Sequence, residues 1–194
     1  MGPDITATCL WLSRLPSATR MRHLRPPCRI CTVSASAVLL MDCADRPVRC
    51  ALAGGLLDEP AALAYCPFRA LLHLPAWADR RRTFERVAAS LRPGGRFAWN
   101  AYAFDHRIAA RLDGERQTRP APHTIRYSVG DNRVDLVCDN GAVSSLWWAT
   151  KNEWLGLIDV AGLELEALYG GFGREPFTPD STEYVFVARR ARQA

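Results

Sequence analysis

Lysine is all but missing from this chain: Lys151 is the only one, so the formal charge of +5 rests on arginine. Such a bias records a GC-rich coding sequence more readily than a selected surface, and no nucleic-acid partner is expected from it. Long apolar runs are missing too. The longest, Val33 to Met41, is interrupted by Ser34 and Ser36 and falls well short of a bilayer span, so no membrane association is expected. No basic stretch followed by an apolar one stands near Met1, which argues against secretion and for a cytoplasmic location. The segment Met1 to Thr6 fits the myristoylation pattern only loosely, and Pro3 stiffens it. Seven cysteines remain thiols in a reducing cytosol. Cys28 and Cys31 have metal-ligand spacing, but neither a second close pair nor a glycine knuckle accompanies them, since Cys9, Cys43 and Cys50 stand apart, and no metal is expected.

A second absence divides the chain. Residues 1–57 contain no Glu, Lys, Phe, Tyr, Asn or Gln, whereas residues 58–194 use all six. The first part is instead Arg, Pro, Ser, Ala, Leu and Cys, the mixture expected when a GC-rich gene is read in another frame. Disorder is the alternative, although disordered segments favour Glu, Lys and Gln over Cys, Leu and Trp. Two pieces have the apolar character of strands able to pair with a sheet, Ala37 to Asp42 and Val48 to Leu52. The expected organisation is an atypical segment at 1–57, a domain at 58–190 and a frayed tail at 191–194.

What the chain does contain is a run of ordered α/β signals. With 48% apolar residues in 194, it can bury one core. Ala61 to Cys66 is continuously apolar and closed by Pro67, as in a parallel strand covered on both faces. Trp77, Phe84, Val87, Ala88 and Leu91 then recur at helical spacing, with Arg80, Arg81 and Arg82 on a solvated face. Arg92-Pro-Gly-Gly95 stops this helix and Arg96 to Ala101 begins the next strand. Asp105 caps a short helix, and an antiparallel meander occupies about 123–149. Thr150 and Glu153 form a capping box for a helix ending at Gly162, followed by strands at Leu163 to Tyr169 and Glu183 to Ala188.

Four pieces carry a likeness: Ala64-Tyr-Cys-Pro-Phe-Arg-Ala-Leu-Leu-His-Leu74, Leu91-Arg-Pro-Gly-Gly95, Trp154 to Leu163 and Glu183 to Ala188. In this order they resemble the C-terminal two-thirds of a class I S-adenosylmethionine (SAM) dependent methyltransferase of the small-molecule type. The resemblance implies an α/β fold with a Rossmann-like doubly wound mixed sheet, its N-terminal part degraded or incomplete and the meander an insertion. It implies SAM as cofactor and methyl transfer to a small-molecule acceptor. Members hold SAM with a Gly-x-Gly loop after the first strand and a carboxylate after the second; Gly54-Gly55 is a poor substitute for that loop. The cofactor-binding positions it points to are Asp42, Asp58, Tyr65, Cys66 and Phe68, and His73 is the candidate general base. For each of the two Asp residues a strand end or turn is the alternative, and for His73 a local hydrogen bond. Trp147, Trp148, Tyr169 and Phe172 line either an acceptor pocket or the core.

A charged hydrogen bond contributes roughly 1.5–3 kcal/mol, so losing the ribose carboxylate and loop contacts weakens SAM binding by about three to four orders of magnitude. The second reading is therefore an inactive methyltransferase-like remnant or scaffold. A nicotinamide-dependent enzyme is disfavoured by the missing dinucleotide fingerprint. If Ala37 to Asp42 does not pair with the sheet, an exposed edge invites self-association.

Overall fold

A computed structural model describes residues 60–119 and 121–192 and, by backbone alone, two strands before them. Strands β1 (Val38–Met41), β2 (Arg49–Ala51), β3 (Ala61–Cys66), β4 (Leu91–Tyr102), β9 (Leu163–Tyr169) and β10 (Glu183–Arg190) form a six-stranded mixed sheet in the order β2-β1-β3-β4-β10-β9. β3 and β4 pair in parallel, and the other neighbours are antiparallel. The two N-terminal pieces expected as strands thus join the sheet, and β1 covers the edge of β3 whose exposure would have invited self-association. Asp42, Asp58, Gly54-Gly55 and the five cysteines from Cys9 to Cys50 carry no described side chains, so the readings placed on them lie outside the described residues.

Helix α1 (Trp77–Ser90) carries the chain from β3 to β4, as a parallel pair requires. Its buried face runs Arg80, Thr83, Phe84, Val87 and Ala88, steps of three, one, three and one that place all five on one stripe. Two expectations fail here. Trp77 is 44% exposed, with the Arg81 guanidinium over its ring, because it stands in the first turn before the helix meets the sheet. Arg80, expected on the solvated face, is buried at 4% exposure.

The Pro-Gly-Gly signal is drawn into β4 rather than ending before it. Ala61 pairs with Leu91 but Leu63 pairs with Arg96, so the extra residues bulge out of the ladder. Gly94 takes φ +75°, and a Cβ on Gly95 would stand 2.8 Å from Arg92 O and 2.9 Å from Ala61 O. Those contacts are backbone and cannot swing away. Gly95→Ala is therefore expected to cost about 1–3 kcal/mol, the range for overpacking a fitted site. Chemical denaturation checks this; a variant as stable as the parent would show that the bulge relaxes freely.

β10 runs to Arg190, two residues beyond the expected Ala188, because Arg189 pairs with Arg96. Arg190 then serves the end of α1, its Nη1 donating to Ala88 O at 3.0 Å and Ala89 O at 3.2 Å, and also to Leu91 O at the start of β4 at 2.5 Å. α1 has no basic residue in its own last turn, so a cation from a distant strand satisfies its terminal carbonyls.

One face of the sheet holds an aromatic core. Phe84 meets Phe97 and Trp99 edge-on at 5.2 and 4.9 Å, and Phe186 stacks on Trp99 at 4.9 Å. Trp154 closes the group from helix α3 (Lys151–Val160), 6.2 Å from both Phe84 and Trp99. The α3 capping box forms as expected, with Thr150 and Glu153 bonded reciprocally. On the other face the expectation of full cover fails among the described residues: Leu63 and Tyr65 in β3, and Val185 and Val187 in β10, are only half-buried between buried neighbours.

After β4, helix α2 (His106–Leu112) starts at Asp105, whose Oδ1 accepts from the Arg107 amide at 2.7 Å. The meander follows, with a short first strand that periodicity did not reveal: β5 (Arg116–Gln117), β6 (His123–Ser128), β7 (Arg133–Cys138) and β8 (Val143–Trp147) pair in sequence order. Ile125, Val134, Leu136 and Leu146 join the main core, so the meander is packed against the domain. Among the described residues, no helix is long and apolar enough to cross a membrane.

Candidate functional site

In an open α/β sheet the backbone at the carboxyl ends of parallel strands opens into loops, and ligands bind in the crevice outside those ends. Here that edge lies where β3 passes into Pro67–Arg69 and a 3-10 turn at Ala70–His73, and where β4 ends at Tyr102. β10 begins at the same edge, because Glu183 pairs with Tyr102.

The edge holds a buried polar network. The Arg69 Nε donates to both Glu183 oxygens at 3.2 and 3.1 Å and its Nη2 to Oε2 at 2.5 Å. Asn100 Nδ2 donates to Glu183 Oε1 at 2.6 Å, and the Arg69 amide donates to Asn100 Oδ1 at 3.3 Å. Arg69, Asn100 and Glu183 are 8%, 5% and 7% exposed. The Arg69 guanidinium also stands 5.8 Å from the centre of the Tyr102 ring. None of the three was singled out from the sequence. The available signals were an asparagine inside an apolar strand and a glutamate at the head of another.

His73 lies half-buried between this edge and the meander. Its Nδ1 is 3.1 Å from Ser145 O. A carbonyl only accepts, so Nδ1 carries the proton and Nε2 holds the lone pair when the ring is neutral. Nε2 is buried without a hydrogen-bond partner among the described residues, as is the Tyr102 hydroxyl. Burial pushes the His73 imidazole below its ordinary value, against a smaller upward pull from the Ser145 carbonyl. A folded-state value below the unfolded one means that the unfolded chain takes up a proton first as the pH falls through 6.5. Stability is therefore fully present above that pH and lost below it. The unfolding temperature is expected to fall between pH 7 and pH 5, and to fall less steeply in His73→Gln; equal slopes would remove His73 from the acid limb.

The other predicted positions differ in what they offer a ligand. Phe68 is 55% exposed at the loop. Tyr65 is half-buried, and burial, then the neighbouring Cys66, raises its hydroxyl above the ordinary value. Cys66 is 1% exposed, and burial pushes its thiol up to about 12, partly offset by the Leu71 backbone. Its side chain presents no surface to a ligand, which leaves only its backbone. Trp148 is buried and stacks on Phe104 at 4.1 Å, whereas Phe172 is 66% exposed.

Arg80 ties this edge to the meander. Its Nε donates to Leu74 O at 3.0 Å, its Nη2 donates to Trp147 O, and the guanidinium lies over the Trp154 ring at 5.4 Å. Burial lowers its pKa, with Glu153 and Tyr102 pulling the other way, yet a guanidinium keeps its charge.

Comparison with solved structures finds the same architecture. The chain superposes on the CcbJ methyltransferase of Streptomyces caelestis with a TM-score of 0.56 and 20% identity, over 71% of this chain and 64% of that one. It superposes on a SAM-dependent methyltransferase from Clostridium acetobutylicum ATCC 824 with a TM-score of 0.61 and 9% identity, over 72% and 62%. CalS10, an amino pentose methyltransferase from Micromonospora echinaspora, gives 0.51 and 19%, over 72% and 62%. The chain thus spans less than two thirds of the length of these proteins. No protein-family model and no curated protein matches it. With its mixed sheet, parallel β3–α1–β4 unit and C-terminal β9–β10 pair, the chain has the fold of the class I SAM-dependent methyltransferases, in the form of their C-terminal part.

Proposed function

We propose that this chain is a SAM-dependent methyltransferase acting on a small-molecule acceptor at the carboxyl edge of β3 and β4. The observation that carries the reading is the fold shared with solved SAM-dependent methyltransferases, an open α/β sheet of the kind whose ligands bind outside this carboxyl edge. His73 Nε2 and the Tyr102 hydroxyl lie at this edge as two of the seven buried polar atoms without a partner among the described residues, and a ligand would pair with them only as the edge opens to admit it. Their chemistry fits a donor with amine, carboxylate and hydroxyl groups and an acceptor with a transferable proton.

Tyr65, Phe68 and the Cys66 backbone would hold the donor, with Asp42 and Asp58 as further carboxylates for its hydroxyls. When bound, SAM supplies a methyl group to the acceptor's lone pair, the S–CH3 bond breaking and its electrons returning to sulfur to leave S-adenosylhomocysteine (SAH). His73 receives the acceptor's proton at Nε2, the nitrogen its bond to Ser145 leaves unprotonated. Orientation supplies most of the acceleration in such a displacement. The cytoplasm is the compartment this reading suits.

The second reading, a scaffold that binds no SAM, rests on the missing Gly-x-Gly loop in residues 1–57. Calorimetric titration separates the two. Micromolar binding of SAM is expected; no heat at millimolar SAM would leave the scaffold reading standing.

A further inference from the structure

Phe68 and Arg69 are consecutive residues in the left-handed region, at φ 58° and 57°, with no glycine between β3 and the 3-10 turn. L-residues resist that conformation, so a loop built this way persists only where its surroundings fix it. What surrounds it is unusually specific. Glu183 receives the guanidinium fork of Arg69, and Asn100 bridges Glu183 to the Arg69 backbone, so that one network joins the loop after β3 to both β4 and β10.

Stability alone does not call for such a set, since a well-packed apolar trio serves a core as well as a buried ion pair or better. An apolar trio, however, has no direction. A planar fork on a carboxylate fixes the loop in angle as well as in distance. We propose that Arg69, Asn100 and Glu183 are positioning residues, which hold the Pro67–Arg69 turn, and with it the Phe68 ring, in the shape that the bound cofactor requires. The identity of that ligand rests on the methyltransferase reading above; the fixing of the turn does not.

The test compares the wild-type chain with Glu183→Gln, which keeps the shape and loses the charge, and Arg69→Lys, which keeps the charge and loses the fork. Amide hydrogen exchange and SAH affinity are measured at a temperature where circular dichroism shows all three folded. Exchange of the amides from Arg69 to Leu74 is expected to quicken at least tenfold in both variants while the α3 amides keep their wild-type rates, and the Kd for SAH is expected to rise at least tenfold. A residue that served stability alone would shift the unfolding temperature and leave that Kd unchanged. Unchanged local exchange, or faster exchange with unchanged affinity, overturns the proposal. Wild-type protein that fails to bind SAH at millimolar concentration sinks the methyltransferase reading instead, and the exchange data then decide whether the three residues hold the turn. If neither variant folds, the wild-type chain still answers: protection of the Leu72 amide comparable with that of Ala64 in β3 is expected, and protection no better than at the left-handed Asn132 turn overturns the proposal.

Discussion

Replacing Glu183 with alanine is expected to cost about 3–5 kcal/mol, because it leaves a buried guanidinium without its counter-ion. At about 2–4 °C per kcal/mol for a chain of this size, the unfolding temperature falls by roughly 6–20 °C. The effect is large because the network is closed. Glu183 accepts from Arg69 and from Asn100, so its loss strands a charged fork and a side-chain amide together, all three residues being at most 8% exposed. The exposed pairs of the same fold give the contrast. Arg96–Glu166 and Arg116–Asp139 have comparable geometry, 2.8 and 2.6 Å, but sit in water and salt. Removing Glu166 or Asp139 is expected to leave the unfolding temperature unmoved within measurement error. Differential scanning calorimetry of the three variants checks the ranking, and a Glu183→Ala melting curve that overlays the parent would show that the network is solvated.

Phe84→Ala is expected to cost about 3–5 kcal/mol, the range for emptying a large aromatic site that cannot collapse. Phe84 is the residue through which α1 reaches the sheet: it is fully buried and touches Phe97 and Trp99 of β4 and Trp154 of α3. Those neighbours are themselves large and held by further ring contacts, Phe97 stacked on Trp99 at 4.7 Å and Trp154 tilted against Trp99 at 6.2 Å, so they do not move in to fill the space. Phe84→Leu keeps most of the volume and loses the edge-on ring contacts, and is expected to cost a third to a half as much. Urea titration of both variants gives the comparison. Equal losses would mean that the aromatic geometry, rather than the volume, carries the stability.

The elements legible in the sequence are those specified locally. The apolar run at Ala61–Cys66, the cap at Asp105 and the capping box at Thr150–Glu153 each sit within a few residues of the structure they dictate, and the strand, the cap and the box all form, although the strand is fully covered on one face only. The Pro-Gly-Gly signal was legible as a break but not as a bulge, because Gly95 packs not only against Arg92 O but against the backbone of Ala61 and Ala62, more than 30 residues earlier. Arg80 was misread for a related reason. Within Arg80-Arg81-Arg82 nothing distinguishes the first arginine; its burial comes from the Leu74 and Trp147 carbonyls, and the second belongs to a meander whose docking no periodicity describes.

The candidate site was the least legible part. Arg69, Asn100 and Glu183 are separated by 31 and 83 residues, and each alone looks like an isolated polar residue among apolar ones. Only the adjacency of β3, β4 and β10 makes them a network. His73 was legible as a histidine in the right loop, while its tautomer depends on Ser145, 72 residues away. A motif thus marks which edge of the sheet matters, and the long-range pairing supplies the chemistry.

The central claim, that the carboxyl edge of β3 and β4 receives the cofactor, is tested most directly by amide chemical-shift changes in isotope-labelled protein titrated with SAH. The predicted result is a saturable set of shifts at Tyr65 to Leu74 and Tyr102 to Asp105, with the β6–β7 hairpin turn around Asn132 unmoved. Shifts confined to the meander, or none at millimolar SAH, would contradict it.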